Sequence, residues 1–502
     1  MSARRLVSSL AVPVLAAGLL VLTGSAARAD TCLGTAANDF NGDGFTDIAI
    51  ADPEATVGRM PRAGRVHVVY GNGVGSKTIT QADLGVNEPV EAGDRFGYSL
   101  AVFDATGDKC SDLVVSAPWE SVGSLAEAGA VWVIPGSTAG IGASAATTHT
   151  QSSTGKGTSE AGDLFGFALA AGKTAGATPK TFIAIGAPGE DVGTIIDAGE
   201  FYLIRSDTAI AFNQDTAGIT GAAEANDRFG YAVAATATHV AVSNLGENDF
   251  VGGVQVFNQT ISSSVLGTVG VVNQGDGQSG AGEVNDWFGR SLAMAPYIAP
   301  GETTTGSLLA VGGPGEAMTD GSTATEGRLM AVTATGVITE VAEYNQGVPN
   351  VDENIEPGDY FGWSAVLVNR APATPATWDQ VLLAIGVPGE DTPEGIDTGA
   401  VQSFSMIGAP GDHDMWVTSH GGMAAAGWGA KPGALLGQFL GSSPTHLYIG
   451  DPRGATPAVY GVPWANLVNE PGATEPAPVT VYKPGADGLP TDGVVAFGAA
   501  IA

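Results

Sequence analysis

Positive charge is what this sequence has least of. Its 502 residues include 20 Lys and Arg against 52 Asp and Glu, a formal net charge of −32. That argues against nucleic acid as a partner, because neutralising phosphates takes clustered Lys and Arg. Adsorption to an anionic membrane is disfavoured for the same reason. There are six His and two Cys, with no H-E-x-x-H motif and no Cys/His cluster that would hold zinc. Beyond residue 29 no stretch approaches 18 consecutive apolar residues, so no membrane-spanning helix is expected. Charged residues make up only 14% against 44% apolar, which excludes disorder and permits a large core.

Glycine, by contrast, is abundant at 74 residues, about twice the usual share, as expected of many turns between short strands. Residues 1–29 read as a signal peptide. Arg4 and Arg5 form a basic start, an apolar run extends from Leu10 to Leu22, and Ala27-Arg28-Ala29 fits a small-x-small cleavage site. LPTDG at 489–493 has the wrong residue order for a wall-sorting signal and no hydrophobic tail after it. The expected location is therefore secreted and extracellular. Two cysteines in an exported chain invite one disulfide, Cys32 to Cys110, with two free thiols as the alternative. Closing a loop of that length stabilises by roughly 4–5 kcal/mol in the chain-entropy model.

The chain repeats itself. E-x-[GN]-D-x-F-G occurs at 91–97, 160–166, 224–230, 283–289 and 356–362, and a Gln precedes each Phe by 14 or 15 residues. After each F-G comes an alternating strand, then an apolar strand ending in a GAP-like turn such as SAP116–118, GAP186–188, GGP312–314 or GVP386–388. Two more strands complete the unit. Four short strands per unit of about 65 residues is the pattern of a propeller blade. The gap from Phe361 to Phe497 is two periods, and Leu436-Gly437 fills it as a degraded copy. GAP-like turns number seven once ADP51–53, SNL243–245 and GDP450–452 are included. The first unit, from Asn38, lacks an F-G strand, while FGAAIA at 497–502 is an F-G strand with nothing following. Each supplies what the other lacks, and pairing them would remove the exposed edges of an open array. The expected fold is all-β: one seven-bladed β-propeller of four-stranded blades over 30–502. The C-terminal strand would pair with the first blade. Repeats are placed near 38–71, 93–151, 162–214, 226–274, 285–346, 358–420 and 433–466, with a closing strand at 494–502.

F-G strands followed by GAP-like turns, seven times over, resemble the FG-GAP repeats of the integrin α-chain N-terminal propeller and of similar secreted bacterial proteins. The resemblance implies the fold and an extracellular, often calcium-binding, recognition role. The recurring Glu, Asp, Phe and Gly themselves read as architecture. Phe packs between blades, Gly permits close backbone approach, and Asp bonds turn amides.

The sharpest chemical signal is D-x-N-x-D-G-x-x-D: Asp39, Asn41, Asp43, the backbone carbonyl of Phe45, and Asp47. Oxygen ligands at alternate positions with Gly44 at the sixth point to Ca²⁺. The twelfth position, Ile50, is not acidic and lies within the strand pattern DIAIADP, so this is a strand-to-strand loop and not an EF-hand. A weaker second metal loop comprises Asp104, Thr106, Asp108 and Asp112, with Lys109 where Gly44 stands in the first. The metal's expected role is structural, at the ~10⁻⁴–10⁻³ M affinity of extracellular modules.

No catalytic residues are expected. GYSLA at 97–101 and GRSLA at 289–293 lack the final Gly of a nucleophile elbow and belong to the repeat. Asp412-His413-Asp414 reads as a loop. Acidic loops at 189–199 and 389–399 should project from one face of neighbouring blades as binding or solvated surface, and Trp119 is a candidate sugar platform. The leading expectation is a non-enzymatic, calcium-binding, monomeric recognition or adhesion module. Its partner would be an extracellular protein or glycan, with no nucleic acid or membrane partner. An extracellular hydrolase or lyase acting on polymers through the propeller axis is the alternative, and fold alone does not decide between them.

Overall fold

A computed structural model describes residues 31–502 apart from 87–88, 263, 276–279, 317–325, 349–350, 352–354, 372–375, 419–422, 424–427, 430 and 469–476. The signal peptide expected at 1–29 lies outside the described residues.

Seven four-stranded antiparallel sheets form seven blades. Blade 1 pairs, in order, Ala500–Ile501, Ile48–Asp52, Arg65–Val69 and Ser76–Ile79. Blades 2 to 7 follow along the chain, and their first strands are Leu100–Phe103, Ala168–Lys173, Phe229–Ala235, Ser291–Tyr297, Ala365–Asn369 and Phe439–Ser442. From blade 2 through blade 7 to the 500–501 strand, each first strand packs against the next, which makes these the innermost strands around the axis.

Burial follows from that arrangement. Second strands such as Asp112–Ala117 and Val381–Val387 are buried throughout, because a neighbouring blade covers each face. Their sequences are accordingly continuous apolar runs without the alternation of a half-exposed strand. First strands, crowded at the axis, favour small residues, as in ALAAGK at 168–173. Outermost strands such as Ile338–Tyr344 alternate toward solvent.

The ring closes as the split repeat requires. Ile50 pairs with Ile501 and Ala51 with Ala500, and Ala49 and Ala502 exchange backbone hydrogen bonds of 2.8 and 2.9 Å. Asp52, fully buried, accepts the N–H groups of Val495 and Ala496 at 3.0 and 2.7 Å. Arg65 donates to the Asp492 carbonyl at 2.6 Å, and the Thr56 amide to Gly493 at 2.9 Å.

The recurring motif is architectural. The F-G phenylalanines 96, 165, 229, 288 and 361 are fully buried, as are Phe497 and the degraded copy's Leu436. Within each E-x-[GN]-D turn the Asp carboxylate accepts the amide three residues back, from Glu91 to Asp94 at 2.8 Å and from Glu224 to Asp227 at 2.7 Å. The same turn then bonds the previous blade: the amides of Arg95 and Phe96 donate to the carbonyls of Arg62 and Ala63. The residue before Phe, such as Arg95 or Leu164, sits at positive φ to make this contact. F-G and GAP occur together because they touch. A Cβ added to Gly186 of the blade 3 turn would lie 1.8 Å from the carbonyl of Gly230, the F-G glycine of blade 4.

Candidate functional site

First strands run from the F-G turn to the loop joining the first and second strands, and second strands run back to the GAP-like turn. The F-G and GAP-like turns therefore share one face of the disc, and the loops containing 39–47 and 104–112 lie on the other.

In the first of these loops, Asp39, Asn41, Asp43 and Asp47 bond the backbone of the loop and its neighbour, and the three carboxylates do not form one cluster of mutually close oxygens. Asp39 and Asn41 each accept the Asp43 amide at 3.1 Å, and Asp39 also accepts the Gly44 amide at 2.8 Å. Asp47 accepts the amides of Phe40 and Gly71 at 2.8 and 2.9 Å, and Asn72 donates to Asp43. The Phe45 amide donates to Asp43 at 3.0 Å while its ring is exposed, so this residue has only its carbonyl to offer a metal. Gly42 and Gly44 have φ of 72° and 89°, and a Cβ on Gly42 would strike the Cys32 backbone.

Asp39, Asn41 and Asp47 are buried. Burial raises the pKa of Asp39, and raises Asp47 to about 7 with added repulsion from Asp39 and Asp43. Among the described residues no Lys or Arg forms an ion pair with these acids. Hard oxygen donors, crowded negative charge and no cationic side chain to balance it fit a divalent cation such as Ca²⁺.

The second loop copies the frame. Asp112 accepts the amides of Ala105, Thr106 and Gly136 at 2.8 to 3.0 Å, matching Asp47, and burial raises its pKa. Asp108 accepts the Cys110 amide at 2.9 Å, while Thr106 presents its own amide to Asp112. Its charge balance differs, because Lys173 from blade 3 pairs with Asp104 at 2.8 Å. Lys109 adopts φ 75°, the left-handed region that Gly44 enters without strain. A cation there would compete with Lys173 for Asp104.

Cys32 and Cys110 form the expected disulfide, with Cα atoms 5.2 Å apart. It ties the segment beside Gly42 to the second loop, so the bridge clamps both loops at once. Asp108 lies close to the two sulfurs, but sulfur in a disulfide provides no thiolate ligand.

The two acidic loops project from one face, as expected, but they belong to blades 3 and 6 and are not neighbours. The expectation of adjacency fails because their sequence likeness ignores the two blades in between. Asp191 and Asp391 accept the amides of Asp197 and Asp397 at 2.9 and 2.8 Å, so part of their acidity shapes the loop itself. Asp412-His413-Asp414 lies in a turn before the strand Met415–Val417, and Asp414 accepts from Gln402.

Two features went unread in the sequence. Each regularly spaced Gln donates to a Glu just beyond a GAP-like turn. The pairs are Gln81 to Glu120, Gln151 to Glu190 at 2.5 Å, Gln214 to Glu247 at 2.7 Å, Gln274 to Glu316, and Gln346 to Glu390 at 2.8 Å. Burial and the neighbouring Asp163 raise Glu190 to about 8. These acids sit in the walls between blades and are structural. The second feature is an aromatic arc at the channel mouth on the F-G face, built from the residues that flank each F-G. Tyr98 packs on Trp119 at 4.8 Å and on Phe167 at 5.1 Å, and Phe167 packs on Tyr231 at 5.0 Å. The signal for it was an aromatic residue directly after F-G in four blades.

The fold is a seven-bladed β-propeller, and part of the chain carries FG-GAP repeats. The family model described as FG-GAP repeat matches residues 34–69 and 96–134. Among curated proteins, the mouse phosphatidylinositol-glycan-specific phospholipase D is 37% identical over 105 residues, 20% of this chain and 12% of that enzyme. The cattle enzyme is 38% identical over 109 residues, 20% of this chain and 13% of its own length. The match thus spans about an eighth of these relatives. A solved structure from Bacteroides uniformis, assigned as a 6-phosphogluconolactonase, aligns with a TM-score of 0.43 and 8% identity, over 87% of this chain and 99% of the other. Among the described residues no helix is long and apolar enough to cross a membrane.

Proposed function

We propose that this protein is a secreted, calcium-binding FG-GAP propeller that recognises a protein or glycan outside the cell without transforming it. The observation that carries the reading is the 39–47 loop. Its oxygen donors recur at alternate positions of one short loop, its acids repel one another, and no cationic side chain pairs with them among the described residues. Calcium would relieve that repulsion and stiffen the point where the ring closes. Export is supported by the basic-then-apolar start of the sequence and by the disulfide. Recognition is supported by the division of labour between faces. The repeated acids serve the blade walls, which leaves the non-repeating side chains of the F-G face for a ligand.

The test is calorimetric titration of chelator-treated protein with Ca²⁺, alongside binding to arrays of glycans, wall polymers and secreted proteins in calcium and in chelator. Expected are calcium binding in the ~10⁻⁴–10⁻³ M range, its loss in Asp43→Ala, and at least one calcium-dependent ligand. Calcium binding unaffected by Asp43→Ala would overturn the metal assignment. A second reading, a hydrolase or lyase acting on extracellular polymers, draws on the phospholipase relatives. Turnover of an arrayed polymer by the purified chain would favour it.

A further inference from the structure

We propose that the channel mouth on the F-G face is a binding site for an acidic glycan, a saccharide bearing carboxylate, sulfate or phosphate groups, with Arg290 as its anion anchor. The inference deepens the recognition reading and rests on it.

The site is built from the two positions flanking the F-G phenylalanine in successive blades. The residue after F-G is Tyr98, Phe167, Tyr231, Arg290 and Trp363 in blades 2 to 6, and Gln438 and Ala499 in blades 7 and 1. An architectural residue recurs in all seven blades, as the buried F-G ring or its Leu436 substitute does. These positions do not recur in that way. Five consecutive blades carry aromatics or arginine, and two carry small or polar residues, so the wall is asymmetric in a way that closing a propeller does not require.

The contacts form one continuous surface. From Tyr231 the arc passes to Arg290, which donates to the Tyr231 hydroxyl at 2.6 Å and stacks over Trp363 with its guanidinium carbon 3.6 Å from the ring centroid. Trp363 meets Tyr360 at 5.7 Å, and Tyr360 stacks on Trp287 at 6.3 Å and 18°. Tyr98, Phe167, Tyr231, Arg290 and Trp363 are all only partly buried, and Tyr360 is 38% exposed. Neighbouring blades thus hold these side chains in place while leaving part of each accessible.

Charge identifies the ligand. The chain is strongly acidic, yet Arg95 and Arg290, two of its 20 cationic Lys and Arg side chains, stand in this arc, while Arg228, on the same face, lies over the Phe250 ring at 5.5 Å. Arg95 stacks on Trp119 at 4.3 Å and pairs with Glu54 at 2.8 Å. Arg228 and Arg290 pair with no carboxylate among the described residues. Cations left unpaired amid such an excess of acid are the feature a ligand anion would satisfy. One face of Arg290 is covered by Trp363 and one N–H is committed to Tyr231, so the guanidinium is already oriented and loses little freedom on binding. A fixed guanidinium fork matches carboxylate, sulfate or phosphate, and aromatic faces suit the C–H faces of pyranose rings. Burial keeps the Tyr98 hydroxyl protonated and hence a donor. An acidic peptide satisfies the arginines but makes no use of so extended an aromatic wall.

Isothermal titration of the full chain in calcium, using oligogalacturonate and heparin-derived oligosaccharides, is the direct test. Cello-oligosaccharide and hexaglutamate are the comparisons. Expected is binding of at least one acidic oligosaccharide that weakens with salt, falls tenfold or more in Arg290→Ala and Trp363→Ala, and is not restored by Arg290→Lys. Unchanged melting of both variants confirms their folding, since neither residue is fully buried. Equal binding of the neutral sugar, tighter binding of hexaglutamate, or acidic-sugar binding indifferent to Arg290→Ala would overturn the site while leaving recognition standing. Absence of acidic-sugar binding overturns the site as well. If glycan and secreted-protein arrays are then also blank, the recognition reading fails with it.

Discussion

Substituting Asp52→Ala should open the ring at its closure. Asp52 is fully buried in the second strand of blade 1, and its two oxygens accept the amides of Val495 and Ala496 from the far end of the chain. A hydrogen bond to a charged group contributes about 1.5–3 kcal/mol. Two such bonds set an upper range, but burial raises the Asp52 pKa, which means the carboxylate is held at a desolvation cost. Losing the pair and stranding two amides should cost about 2–4 kcal/mol, toward the lower end of the range for two charged hydrogen bonds. The loss should be local before it is global. Blade 1 would retain its three strands from 48 to 79, while the 500–501 strand would loosen from Ile50 and Ala51. Urea unfolding monitored by fluorescence measures the total, and hydrogen exchange by mass spectrometry locates it. Expected are a lower midpoint and faster exchange in 493–502 and 48–52, with blade 4, across the ring, unchanged at first. An unmoved midpoint together with unchanged exchange in those two segments would refute closure through this carboxylate.

Replacing both Cys32 and Cys110 by Ser should cost roughly 4–5 kcal/mol by the chain-entropy estimate for a separation of 78 residues. It should also weaken calcium binding, because Cys32 braces Gly42; calorimetry showing intact affinity would separate the clamp from the metal loop. Phe229→Ala removes a fully buried ring that packs near Phe212, and should cost about 3–5 kcal/mol in urea unfolding. Stability in saturating calcium should fall as pH rises from about 6.5 to 8.5. Burial raises Asp227 to about 7 and Glu190 to about 8, above their unfolded values of 3.8 and 4.5. Their contribution is therefore complete below pH of about 4 and is lost as pH climbs through the folded values. His67 and His239, lowered by burial to about 3 and about 4, destabilise only below their unfolded value of 6.5 and are silent in this window. Unfolding midpoints that hold steady or rise across it would contradict the assignment.

How much was legible in the sequence depends on how often a feature repeats. The blade count could be read because Phe, Gly and Asp recur at fixed spacing, and even Leu436-Gly437 could be placed by period alone. The 39–47 loop could be singled out as a candidate metal loop because its donors are close in sequence: Asp39 to Asp47 need no tertiary contact to be seen as one motif. The Gln–Glu pairs were half legible. The glutamines stood out by spacing, but their partners lie 33 to 44 residues onward, and only folding shows that both reach the same wall.

The acidic loops show the opposite hazard. The near-identity of 189–199 and 389–399 implied adjacency, yet similarity between repeats reports an equivalent place in a blade and not nearness around the ring. The aromatic arc was hidden for a related reason. Its members occupy a repeat position without obeying the repeat, so they look like noise in a motif search. In a symmetric fold, whatever recurs in every blade is needed to close the ring. A ligand of lower symmetry than the ring has to be met by residues that depart from the repeat. Tyr231, Arg290 and Trp363 depart from it in consecutive blades and touch one another across the walls between them. That combination of broken repeat and continuous contact makes the channel mouth a better site for recognition than the more conspicuous acidic loops.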